Sequence, residues 1–125
     1  MGDPKSPLSA TQFDLINLYA ALERLGEDEE ILCQAAQDFL DAVEDSYQAV
    51  VRAVEAEDSA ALRIAAHSVK GAARNFGAYT AQHAAYRLEV MGQLNDLEGA
   101  YSARVLLRSC LDDLKPEMRR LAARV

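Results

Sequence analysis

The chain has 125 residues, half of them apolar, with a formal net charge of −7 and only three prolines and six glycines. That size and composition specify one globular domain with a real core, and the acidity excludes a nucleic-acid partner, whose phosphates require a basic surface. No run approaches the roughly eighteen apolar residues that cross a bilayer, and the start Met1-Gly2-Asp3-Pro4-Lys5 has no hydrophobic signal core, so the expectation is a cytoplasmic protein with no membrane partner.

Residues 1–8, with Pro4, Ser6 and Pro7, read as a disordered lead, and residues 9–125 as a single helical domain. Ser9 with Gln12 forms a capping box and Leu8 with Phe13 a hydrophobic staple, so a short first helix is predicted over 10–25, closed by Gly26. The acidic run Glu27-Asp28-Glu29-Glu30 suits a helix N-terminus, and Leu32, Ala36, Phe39, Val43, Tyr47, Val50 and Val54 then recur at three and four, predicting a long helix over about 28–56. Asp58 can cap the next helix, which runs to Asn75, where Gly77 permits a tight left-handed reversal. Ala81, Ala84, Ala85, Leu88 and Met91 form the inner stripe of a further helix stopping near Gly92.

Asn95 and Glu98 resemble a capping-box start for a last helix carrying Leu97, Tyr101, Val105, Leu106, Cys110, Leu111 and Leu114. Pro116 lacks a backbone donor, so this helix is expected to kink or end near Lys115, leaving 117–125 as a terminal turn. No stretch alternates with period two long enough to make a sheet. Short connections between long helices give antiparallel neighbours. The predicted fold is therefore all-α: an up-down-up-down antiparallel four-helix bundle with its core over 28–115, preceded by an extra short N-terminal helix.

The run Ala66-His67-Ser68-Val69-Lys70-Gly71 carries the chemistry. On a helical wheel Arg63, Lys70, Gly71 and Arg74 fall near His67, while Leu62, Ala65, Val69, Ala73 and Phe76 lie opposite, which turns the histidine outward. A neutral imidazole is a good nucleophile near pH 7, and a phosphoryl group on it adds nearly two negative charges that Arg63, Lys70 and Arg74 would offset. Gly71 costs about 1 kcal/mol relative to alanine inside a helix, and in an alanine-rich stretch such a choice points to clearance for a bulky partner beside His67. Ile64, partly exposed on the same side, is a candidate for an apolar docking patch. On the following helix Glu89 is placed to reach across the groove and hydrogen-bond the His67 ring.

These residues resemble the histidine-containing phosphotransfer (HPt) domains of two-component phosphorelays, whose hallmark is His-x-x-Lys-Gly with a further glycine a few positions on, here His67, Lys70, Gly71 and Gly77. The resemblance covers roughly residues 28 to 115. Ala72 stands where the family often has serine, which removes a hydrogen bond. The resemblance implies that His67 accepts a phosphoryl group through Nε2 from a receiver-domain aspartate and passes it to another, with Lys70 as counter-charge and Gly71 as clearance. It also implies receiver domains or a hybrid histidine kinase as partners, a monomer, and no metal or cofactor, the receiver bringing its own Mg²⁺. The chain is too short to hold an ATP-binding kinase domain as well, so it is expected to have no kinase activity of its own.

Two other readings stand beside this one. The run His-Ser-Val-Lys-Gly is also similar to the phosphoacceptor domain of chemotaxis-type histidine kinases, and a helical adaptor would bind such partners without being phosphorylated. His83 has no Lys-Gly pair and reads as structural or solvated, and Cys33 and Cys110, without C-x-x-C spacing, as reduced packing residues. No Glu-x-x-His metal pattern, Walker loop or Gly-x-Ser-x-Gly elbow is present.

Overall fold

The computed structural model describes residues 13–124, and among them every regular element is a helix: α1 (Leu18–Leu25), α2 (Glu29–Glu55), α3 (Ser59–Asn75), α4 (Tyr79–Gln93) and α5 (Ala100–Ala122). The lead over residues 1–8 and the Ser9–Gln12 capping box lie outside the described residues, as does the Leu8 half of the staple. α2 packs on α3 and α5, and α4 packs on the same two helices, so these four close a ring around one core. Leu32, Val50, Leu62, Val69, Leu88, Leu107 and Leu111 fill it. Phe39 meets Phe76 edge to face with centroids 5.8 Å apart, tying α2 to the end of α3.

The long helices begin where side chains satisfy their first amides. Asp28 accepts from Glu30 and Ile31, at 2.9 and 3.5 Å, and Asp58 accepts from Ala61 at 3.0 Å, so α2 and α3 start as the sequence predicts. Gly77 adopts φ +59°, the left-handed reversal expected between α3 and α4. A Cβ there would also stand 2.6 Å from Asn17 Cβ, because α1 is seated on this turn.

Three expectations are corrected. The first helix starts at Leu18, not Ala10, within the part that is described: residues 13–17 are non-helical and Asn17 caps α1 through Ala20 N at 3.1 Å. The reason is a competing set of acceptors at the end of the bundle. Leu15 and Ile16 donate their amides to the buried Glu117 carboxylate at 2.9 to 3.0 Å, and Asn17 donates to Phe76 O at 2.9 Å, so a non-helical strap satisfies its backbone while burying Phe13 and Ile16.

Pro116 does not end the last helix, which continues to Ala122. A proline there costs about 3 kcal/mol, but the following turns bury Met118 and Leu121 completely, and that packing offsets the loss. That helix starts at Ala100 after Gly99 (φ +81°), not at Asn95. Asn95 Oδ1 is taken by Ser59 Oγ at 2.5 Å, a link back to the start of α3 that removes it as a cap. α4 stops near Gly92 as expected, ending at Gln93, and Gly92 is buried in its last turn against the backbone of α3.

Candidate functional site

α3 buries Leu62, Ala66, Val69 and Ala73, and that stripe turns His67 out of the core. The His67 side chain is 64% exposed, midway along the helix. Across the groove on α4, Glu89 is only 13% exposed and holds both neighbours at once: Oε2 lies 2.9 Å from His67 Nδ1 and Oε1 lies 2.7 Å from Lys70 Nζ. The sequence placed Glu89 as a candidate for this bond, and the structure forms it.

Burial pushes the Glu89 carboxyl upward, but the hydrogen bonds and charges of Lys70 and His67 together outweigh it and hold the group below the usual carboxylate range. Glu89 is therefore ionised at neutral pH. An ionised carboxylate only accepts, so the ring nitrogen facing it must carry the proton, and in the neutral ring the lone pair sits on Nε2.

The Lys70 ammonium already has partners in this structure. It is clamped between Glu89 and the face of Tyr86, 5.2 Å from the ring centroid. Tyr86 escaped the sequence reading, although its place one turn before Glu89 was the available signal. Arg63 and Arg74 are exposed on α3 and stay outside the His67–Glu89–Lys70 contacts. Gly71 is half-buried, and a Cβ built there would meet nothing within 4 Å, so no packing contact requires a glycine at that position. Ile64 is 63% exposed and lines a groove of about 710 Å³ between α2 and α3, together with Ala49, Arg52, Ala61, Ala65 and Ser68.

His83 is exposed on α4, away from this cluster, and Cys33 and Cys110 are unpaired. Burial raises both thiols above their ordinary value, which keeps them protonated and unreactive. Among the described residues no group of three or more His, Cys, Asp or Glu side chains is arranged to hold a metal ion. Among the same residues no helix is long and apolar enough to cross a membrane.

Glu89→Gln tests the cluster through pH. A carboxyl held below its unfolded value contributes stability that is present above that value, about 4.3, and is lost as pH falls through the folded one. The variant is expected to be less stable than wild type by about 1 kcal/mol at pH 7, with the difference shrinking as pH falls below 4. Denaturant titrations across that range check it; a difference independent of pH would contradict the charge assignment.

A family model, that of the Hpt domain, matches residues 34–117, more than half of the chain. No curated protein and no solved structure matches it.

Proposed function

The chain belongs to the Hpt domain family, whose members are phosphotransfer modules of two-component signalling, and we propose that in it His67 relays a phosphoryl group between receiver-domain aspartates. The observation that carries this reading is the bond from Nδ1 to Glu89 at 2.9 Å on a ring 64% exposed, because it leaves Nε2 as the lone-pair nitrogen of an accessible imidazole. A receiver bearing a phospho-aspartate docks over α3, and Nε2 attacks phosphorus in line. The N–P bond forms as the bond from phosphorus to the aspartate oxygen breaks, returning a carboxylate to the receiver. Nδ1 keeps its proton throughout, and the positive charge developing on the ring is met by Glu89. Onward transfer to a second receiver reverses the step.

Lys70 supplies counter-charge to the phosphoryl group beside Glu89, Arg63 and Arg74 add positive potential on the same helix, and Gly71 leaves clearance. The groove holding Ile64 supports docking of the receiver next to His67. In this reading α2 to α5 run up-down-up-down, residues 9–125 make one cytoplasmic, monomeric domain, and the phosphate always comes from another protein, never from ATP bound here. No metal or cofactor is required of this chain.

The test mixes the purified protein with a receiver carrying radiolabelled phosphate. Acid-labile, alkali-stable label is expected on the chain, and Lys70→Ala is expected to slow its appearance about tenfold, a loss of roughly 1.4 kcal/mol of transition-state stabilisation. Label that appears only with a kinase and ATP would replace the relay with the chemotaxis-type phosphoacceptor. Label from neither donor would leave a non-phosphorylated adaptor.

A further inference from the structure

A second groove, of about 480 Å³, lies between α4 and α5. Its α4 wall is Tyr79, His83 and Arg87, spaced i, i+4, i+8, and its α5 wall is Leu106 and Cys110, spaced i, i+4. Tyr79 is 51% exposed and Leu106 49%, so among the described residues two large apolar side chains stand uncovered at the rim. Two parallel rows at four-residue spacing leave the kind of furrow into which the ridge of a third helix fits.

Charge selects the occupant. The lining contains an imidazole and a guanidinium and no carboxylate, in a chain whose net charge is −7. The groove beside Ile64 differs, since Arg52 there is accompanied by Asp45 and Asp58. α4 itself carries a single acid, Glu89, and that charge is spent on His67 and Lys70. We propose that the α4/α5 groove docks an acidic amphipathic helix of a partner protein, whose apolar stripe covers Tyr79 and Leu106 while its carboxylates meet His83 and Arg87. The chain's own residues 1–12 carry one acid and one base, and do not fit that description.

The groove shares no residue with the His67–Glu89–Lys70 cluster, which is what lets a receiver at α3 and a helix at α4/α5 be held together in this proposal. This makes the chain a platform as well as a carrier, and the assignment does not depend on phosphorylation of His67.

The overall negative charge works against the proposal, which sharpens its test: long-range attraction alone favours a basic ligand. The full chain, ¹⁵N-labelled, is titrated with two peptides of about 18 residues, long enough to hold a helix, sharing one leucine stripe and differing only in glutamate or lysine on the polar face. The glutamate peptide is expected to shift amides of 79–87 and 106–110 and to bind there about tenfold more tightly than the lysine peptide. The double variant H83E/R87E, and as a milder version H83A/R87A, is expected to lose that preference, whereas Arg52→Glu keeps it, and phosphoryl transfer through His67 is unchanged in both double variants.

Equal or tighter binding of the lysine peptide at this groove, or shifts confined to the Ile64 groove, would overturn the proposal. So would self-association of the wild-type chain that H83E/R87E abolishes, which would make a second copy the occupant. Binding only after removal of residues 1–12 would assign the groove to the chain's own start and end the proposal equally.

Discussion

His67→Gln is expected to give a folded protein that acquires no acid-labile phosphoryl label from any donor. Glutamine keeps a polar side chain of similar size, and its amide can still donate to Glu89. At a site 64% exposed the change in stability is expected to stay within about 0.5 kcal/mol. What it lacks is the reactive lone pair: an amide nitrogen shares its electrons with the carbonyl and does not attack phosphorus, whereas the Nε2 of a neutral ring does. His83→Gln is the matched control, because His83 is exposed on α4 yet, among the described residues, has no carboxylate to fix its tautomer and no ammonium beside it. Full transfer is expected in that variant. Label retained by His67→Gln, or lost by His83→Gln, would move the phosphoacceptor elsewhere.

The contrast between the two histidines also indicates what the sequence could convey. The starts of α2 and α3 were legible because Asp28 and Asp58 act on amides two and three residues away. The outward position of His67 followed from the period of the apolar stripe on its own helix, and the left-handed turn from Gly77 lying just beyond it. Each of these is settled within a few residues. Glu89 was legible as a candidate only, since its partner is 22 residues away and the crossing of α3 and α4 decides whether they meet.

The misjudged features all depend on more distant partners. The non-helical strap at residues 13–17 exists because Glu117, 101 and 102 positions away, accepts its amides. Pro116 breaks the local helical rule and is tolerated because Met118 and Leu121 are locked into the core. Asn95 has the chemistry of a cap and is diverted by Ser59 across 36 residues. At the strap and at Pro116 a local preference worth about 1 to 3 kcal/mol meets burial of comparable size, and the burial wins, whereas at Asn95 a long-range side-chain hydrogen bond takes the cap away.

Gly71 and Gly92 show the same limit, and they lead to the second large expected effect. Both lie within helices of an alanine-rich chain, Gly71 near the middle of α3 and Gly92 in the last turn of α4, and nothing local shows which of them is packed against a neighbouring helix. Alanine at either gains about 1 kcal/mol of helix propensity. At Gly71 the added methyl meets open space, so Gly71→Ala is expected to raise stability by up to that amount, or roughly 4 °C in Tm. At Gly92 a Cβ would stand 2.6 Å from Ser59 O and 2.7 Å from Arg63 N, both backbone atoms that cannot rotate away. Gly92→Ala is therefore expected to lower stability by about 2 kcal/mol net, or roughly 8 °C in Tm, as α4 is forced off α3. Gly92 lies one turn after Glu89, and Arg63 and Ser59 lie one and two turns before His67, so this contact sets the separation across which Glu89 reaches the ring. The bond to Glu89 is expected to place the His67 Nδ1–H resonance downfield in wild type, and that resonance is expected to move toward the free-imidazole position in Gly92→Ala and to stay in place in Gly71→Ala. If both alanines stabilise the protein alike and leave that resonance alone, the close approach of α4 to α3 is not what positions Glu89.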